Sequence, residues 1–116
     1  MRGRERPPLA WGTLALLAAL VVTNAALVIL LRTGGPLIGT AFYAILLALA
    51  WRGRPRDYRA AMVGGLVGLA VHAVEVTIIG WSAYPTLMAL NLILPVALAP
   101  MAWWASRRGQ RVEPSR

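Results

Sequence analysis

Cysteine and lysine are both absent from this sequence. The lack of cysteine excludes disulfide bonds, thiolate metal sites and thiol redox chemistry. All twelve basic residues are arginines, a bias that we interpret as the mark of a GC-rich bacterial genome. Acidic residues number four and histidine one. The sequence contains no nucleophile–base pair, metal-ligand cluster or phosphate-binding glycine loop, so we expect the protein not to be an enzyme.

Apolar residues are abundant instead, at 59% of the 116 residues, whereas charged residues make up 14%. A chain this small cannot cover so much apolar surface with polar groups, so lipid must do so. Eleven of the twelve arginines lie in three clusters, at 2–6, 52–59 and 107–116, separated by long uncharged runs. The sequence therefore predicts an all-α integral membrane protein of one domain, with arginines that meet anionic headgroups rather than nucleic acid.

Four transmembrane helices are predicted, at about 9–31, 36–51, 60–80 and 84–104. They form a bundle of two hairpins joined by a basic loop at 52–59, and the second helix is short for a span. The first run is also compatible with a cleaved signal peptide, with 23–26 as the cleavage site. Its apolar residues continue to Leu31, which favours a retained helix.

The arginines also predict orientation, because only Arg32 lies on the side opposite the three clusters. The positive-inside rule then puts both termini and the 52–59 loop in the cytoplasm, in a bacterial cytoplasmic membrane. Tryptophans fall near the predicted helix ends, as in an aromatic belt, and we interpret them as lipid-interface anchors. They are Trp11, Trp51, Trp103 and Trp104 at the inner interface and Trp81 at the outer one.

The third predicted helix carries the only histidine, His72, and the only carboxylate within a span, Glu75. Three residues apart, they share a helix face and are close enough to hydrogen-bond. Gly64 and Gly68 occupy the same face, which predicts close packing of another helix there. Both ionisable side chains should therefore point into a protein interface rather than at lipid.

The other three helices each carry a polar side chain at a similar depth, a little outside the midplane. These side chains are Asn24, Thr40 and Asn91, with Tyr43 near the centre of the second helix. One interpretation is that such groups only join the helices by hydrogen bonds. The other is that Glu75 and His72 hold one shared proton, as a coupling or relay site needs. A haem or pigment bound at His72 is a minor alternative, and otherwise we expect no cofactor or metal.

Two families resemble the chain in architecture. Its length and four spans resemble the small multidrug exporters, which rely on a membrane carboxylate in the first helix, where this chain has only Asn24. The order of hairpin, basic loop and hairpin, with a carboxylate in the third helix, resembles the ATP synthase protein I group across the whole chain. Neither resemblance rests on a specific motif, so no residue role is carried over.

The leading hypothesis for function is a small accessory or structural subunit of a multi-subunit, energy-transducing bacterial membrane complex. Four helices with short turns leave little room for a substrate cavity, so other membrane subunits or further copies are the expected partners. The alternative is a homo-oligomeric proton-coupled transporter or channel that uses Glu75. A holin-like pore former is a third hypothesis.

Overall fold

The chain forms four helices in a computed structural model, which describes residues 8–32, 34–79 and 85–112. The helices are α1 (Pro8–Leu31), α2 (Gly34–Arg52), α3 (Pro55–Ile79) and α4 (Pro85–Val112). No strand occurs within the described residues. The all-helical fold predicted from the sequence is therefore confirmed.

The helices form a ring in which each packs against two neighbours. α1 contacts α2 and α4, and α3 contacts α2 and α4. Contacts such as Gly12 with Met101 and Trp11 with Trp51 join the first turns of α1 to the later turns of α4 and α2. The bundle is therefore antiparallel throughout, as short connections between helices require.

Three helices are long and apolar enough to cross a bilayer: Pro8–Leu30 in α1, Pro55–Ile78 in α3 and Pro85–Arg107 in α4. The apolar part of α2, Pro36–Arg52, is shorter at 17 residues. At the α-helical rise this segment is about 25 Å long, a few Å less than the usual hydrocarbon thickness.

The prediction of a basic loop at 52–59 is wrong, because only Gly53 and Arg54 separate α2 from α3. Proline favours the first helical position, and Pro55 begins the helix instead of ending one. Asp57 then accepts a hydrogen bond from the Arg54 backbone N–H at 3.3 Å, one half of a capping box. The same carboxylate pairs with Arg52 at 2.9 Å, which ties the end of α2 to the start of α3.

The end of α4 differs from the prediction, and the end of α1 departs from the usual pattern of a helix cap. α4 continues to Val112, well past the predicted end at 104. Its last turns contain three arginines and one glutamine, which are good helix formers, and the arginines suit the C-terminal dipole. Arg32 follows the last residue of α1 and caps the helix. Its φ of 56° is left-handed, and its N–H donates to the Val28 carbonyl at 2.9 Å. Glycine is the usual residue at such a cap.

The interior of the bundle is filled by aliphatic side chains with a few polar ones. The fully buried large side chains include Leu17, Leu20, Tyr43, Asn24 and Leu98. The outer surface is apolar, and it includes Val22, Ile45, Val71, Ile78 and Ile93, which are all about half exposed or more. This distribution is the one expected of a bundle whose surroundings are hydrocarbon.

Candidate functional site

One face of α3 is built from small residues that let α2 come close. Gly64 lies against the Leu46 side chain, and Gly68 lies against the Tyr43 hydroxyl. A Cβ at Gly68 would overlap that hydroxyl, so only glycine leaves room for it. Gly64 and Gly68 thus both lie against side chains of α2.

Tyr43, His72 and Glu75 form a hydrogen-bonded chain next to these glycines, which we call the Tyr–His–Glu triad. His72 Nδ1 lies 2.9 Å from Glu75 Oε1, and His72 Nε2 lies 3.2 Å from the Tyr43 hydroxyl. The Tyr43 and His72 rings are also stacked, with centroids 6.0 Å apart and planes 22° apart. The Nε2 contact therefore joins α3 to α2, whereas the Nδ1 contact lies within α3.

The triad has two protonation states, which differ in the direction of the hydrogen bond between Tyr43 and His72. With Glu75 ionised and His72 neutral, the Tyr43 O–H donates to Nε2 and Nδ1–H donates to the carboxylate. When one proton is added, Nε2 carries a hydrogen and donates to the Tyr43 oxygen, while the added proton is shared between Nδ1 and Oε1. Uptake of one proton thus reverses the hydrogen bond between α2 and α3.

Burial decreases along the triad. The Tyr43 side chain is fully buried and His72 is 5% exposed, whereas the Glu75 side chain is 35% exposed. The His72 side chain is therefore covered by the bundle itself. The Glu75 carboxylate is only partly covered by its own chain.

Asn24 and Asn91 form a second polar contact, between α1 and α4. Asn24 Nδ2 donates to Asn91 Oδ1 at 2.9 Å and to the Leu20 carbonyl at 2.8 Å. Gly39 on α2 makes room for this pair, because a Cβ there would lie 2.6 Å from Asn24 Oδ1. Pro95 is buried one turn after Asn91 and has no N–H to offer the Asn91 carbonyl.

The polar groups therefore form two separate contacts rather than one layer shared by four helices. Thr40 joins neither of them, because its hydroxyl donates to the Pro36 carbonyl of its own helix at 2.8 Å. Within the described residues, every buried side-chain nitrogen and oxygen has a hydrogen-bond partner. The two contacts satisfy Tyr43, His72, Asn24 and Asn91, whereas the buried hydroxyls of Thr13, Thr23 and Ser106 donate to carbonyls of their own helices.

Comparison with protein-family models, with curated proteins and with solved structures gives no match. The site is therefore interpreted from its own geometry. The described part of the chain contains no group of three His, Cys, Asp or Glu side chains that could hold a metal ion. A haem or pigment at His72 would have to displace Tyr43 or Glu75 from an imidazole nitrogen.

One end of the bundle, where α1 begins and α2 and α4 end, carries four tryptophans. Trp11 and Trp51 meet edge to face with centroids 6.5 Å apart, across the α1–α2 contact. Trp103 and Trp104 lie together on α4, and the Arg107 guanidinium lies 4.8 Å from the Trp103 ring centroid. All four are substantially exposed at one end, as interface anchors would be. Trp81, the predicted outer anchor, is outside the described residues.

The sequence interpretation missed two partners, the Tyr43 hydroxyl for His72 and Asp57 for Arg52. The sequence contained a signal for the contact between Tyr43 and His72. A large polar side chain needs a small residue on the facing helix, and Gly68 lies one turn before His72. A signal existed for the second in the order Pro55, Arg56, Asp57, which is typical of a helix start.

Proposed function

We propose that this protein spans a bacterial cytoplasmic membrane four times, with both termini inside, as a small accessory subunit of a multi-subunit, energy-transducing complex. The arginine clusters support the orientation. The three long apolar helices and the apolar outer surface support insertion. In this arrangement α2 is the shortest crossing, held between α1 and α3.

The observation that carries the subunit role is the partly uncovered carboxylate of Glu75. It lies about 8 Å beyond the midpoint of the apolar segment 60–79, so it falls inside a hydrocarbon layer whose half-thickness is about 15 Å. Its neighbours on the α3 surface, Val71, Val74 and Ile78, are apolar and exposed. A carboxylate at that depth needs a protein partner or water. The bundle supplies His72 to one side only, and a neighbouring subunit would supply the rest.

The packed core favours a subunit over a conduction pathway within one copy. Inward of the triad, the core is formed mainly by Leu17, Leu20, Leu46 and Leu98, which are nearly or fully buried. These four side chains carry no hydrogen-bonding groups, so they separate the triad from the polar side chains buried nearer the inner end, such as Thr13 and Tyr58. The triad is therefore suited to hold a proton and to exchange it with whatever lies beside Glu75.

Purification from the native host in a mild detergent, with a C-terminal affinity tag, tests the proposal. We expect foreign membrane subunits to co-purify in fixed ratio, as measured by native mass spectrometry. Glu75→Leu should weaken that association, whereas the matched change Leu66→Val, also on the exposed surface of α3, should not. Isolation of the chain with no foreign subunit would contradict the accessory role.

The second candidate is a homo-oligomeric proton-coupled transporter or channel. The specific observation in its favour is that Glu75 opens to the outside of the bundle, so several copies could gather their carboxylates around a shared space. Measurement of proton flux into liposomes that contain the purified protein distinguishes the two candidate functions. Proton flux that is lost in Glu75→Gln would favour the transporter, and sealed vesicles would favour the subunit.

A further inference from the structure

The turn between α2 and α3 carries positive charge that the described residues do not neutralise. Arg54, Arg56 and Arg59 are exposed there, and none of their side chains makes an ion pair or a hydrogen bond within the described part of the chain. The carboxylate on this turn, Asp57, is buried and already pairs with Arg52 at 2.9 Å. Three guanidinium groups at this turn are therefore available to an anion from outside the bundle.

The depth of Arg56 matches that of lipid phosphates. At the helical rise it lies about 20 Å from the midpoint of the apolar segment 60–79. The hydrocarbon core of a bilayer ends about 15 Å from its midplane, and the headgroup region extends to about 20–22 Å. The four exposed tryptophans at the same end of the bundle are typical of that interface. In the proposed insertion, Arg56 therefore lies among the headgroups.

Arg56 also lies on the side of α3 that adjoins α2. Gly64 contacts α2 and Gly65 contacts α4, so each forward step of about 100° turns the α3 surface from α2 towards α4. Val63 is one step back from Gly64, on the outer flank of the contact with α2, and Arg56 and Val67 share its stripe. Val63 and Val67 are both about half exposed. One exposed stripe thus combines a guanidinium at the level of the phosphates with apolar side chains in the hydrocarbon.

The facing side of α2 is also apolar. Leu46 contacts Gly64 of α3, and Phe42 and Leu49, one turn to either side of Leu46, are partly buried. We call the space between these two side chains and the Val63–Val67 stripe the α2–α3 groove. The turn that contains Arg54 closes one end of this groove.

From this arrangement we infer that the α2–α3 groove binds one anionic phospholipid, with its phosphate between Arg54 and Arg56 and an acyl chain along the apolar walls. The planar fork of arginine matches the oxygens of a phosphate, and basic pockets between membrane helices suit anionic headgroups. An acyl chain of one leaflet extends over about 15 Å and so ends near the midplane. Glu75 lies about 8 Å beyond that level, so the lipid leaves it free for a neighbouring subunit.

This inference rests on the insertion into a membrane that the proposed function includes. Its tests use the purified chain alone, with the same lipids in both leaflets, so they depend neither on foreign subunits nor on orientation. Failure of these tests would leave the accessory role intact, and failure of the co-purification would leave the lipid site intact.

The first measurement is lipid retention by native mass spectrometry. The chain is reconstituted in equal amounts of dioleoyl phosphatidylglycerol and dioleoyl phosphatidylcholine and then released into the spectrometer. We expect one phosphatidylglycerol per chain. Arg54→Gln and Arg56→Gln should each weaken its binding about fivefold, the usual effect of one arginine near an anionic lipid.

Arg59→Gln is the matched control, because it removes the same charge from the side of α3 opposite the bundle core, away from the groove. It should change phosphatidylglycerol binding little. Equal losses in Arg56→Gln and Arg59→Gln would mean diffuse attraction to the membrane surface and would overturn the inference. A lipid-free dimer that is lost in Arg56→Gln would assign the turn to a second copy and would also overturn it.

Photo-cross-linking locates the acyl chain. Phosphatidylglycerol that carries a diazirine in its acyl chain should label the walls of the groove, such as Leu49 and Val67, in preference to Ile93 and Val96 on the exposed surface of α4. Phosphatidylcholine with the same acyl chain should label the exposed surfaces without that preference, and inorganic phosphate should not displace the labelled phosphatidylglycerol. The same labelling pattern from both lipids would exclude recognition of the headgroup. Displacement by inorganic phosphate would show that the groove contributes nothing.

Discussion

At the scale of single residues, the structure identifies a short hydrogen-bonded chain in an otherwise apolar bundle. The contact between His72 and Glu75 could be predicted from their separation along one helix. The contact of Asn24 with Asn91 could not, and Gly68 was the one signal for the contact of Tyr43, because both contacts depend on how each helix is rotated about its axis. Helices that are apolar on every side give little information about that rotation.

Replacement of Glu75 by glutamine tests whether the triad exchanges a proton. The amide keeps the shape and much of the hydrogen bonding but cannot release a proton at neutral pH. We expect Glu75→Gln to insert and fold normally while the activity of its complex, or the pH dependence of that activity, is lost. Full activity with an unchanged pH profile would mean that Glu75 makes only a structural hydrogen bond. Such a bond between membrane helices typically contributes about 0.6 kcal/mol to stability. The companion change His72→Ala should shift the pH profile if the two residues are coupled.

Gly68→Ala tests the packing between α2 and α3 with a single methyl group. The added Cβ would overlap the Tyr43 hydroxyl, so the triad must move or α2 must shift outwards. We expect a loss of about 1–3 kcal/mol in unfolding free energy, the usual cost of overpacking. Gly65→Ala is the matched control, because its Cβ would meet the flexible end of Leu98 at 3.2 Å. Denaturation in detergent micelles measures both, and equal stability of the two variants would contradict the described packing.

At the scale of helices, α3 begins earlier in the chain than its charged sequence predicted, and its start is capped. The run of four arginines in 52–59 predicted a loop, whereas local capping by Asp57 extends the helix back to Pro55. Charge patterns report which side of the membrane a segment occupies, but they do not report where a helix begins. That information lies in the proline and the aspartate.

Asp57→Ala should therefore weaken the link between the end of α2 and the start of α3. The change removes the cap on the Arg54 N–H and the ion pair with Arg52, and Asp57 itself is buried at 3% exposure. Loss of such a cap costs about 1–2 kcal/mol of unfolding free energy. Asp57→Asn retains an oxygen for the cap and should recover part of the loss. Thermal unfolding that is the same in wild type and Asp57→Ala would show that the cap contributes nothing.

At the scale of the whole molecule, an antiparallel ring of four helices has two ends, and the sequence gives them different charge. Composition alone could predict the all-helical class and the membrane setting, because lipid is the only solvent that suits this surface. The ring order of the helices could not be predicted, since it depends on side-chain contacts between distant parts of the chain. Gly12 with Met101 and Asn24 with Asn91 are the contacts that close the ring.

Reporter fusions test the proposed orientation directly. Fusions within 1–8, 52–59 and 107–116 should report the cytoplasm, and fusions at 33–35 and 82–84 should report the outside, because eleven of twelve arginines favour that arrangement. A fusion after Ser106 that reports the outside would contradict four spans. It would favour removal of the first helix as a signal peptide, which leaves three.

The contact between α1 and α4 has a consequence for gene duplication. Because the first and last helices are neighbours and the number of helices is even, the start of α1 and the end of α4 lie at the same end of the bundle. Two copies can therefore be joined head to tail by a soluble linker, and the second copy keeps its orientation without an added crossing. A single polypeptide with one altered copy then becomes accessible, so that each half of a symmetric assembly can be changed separately.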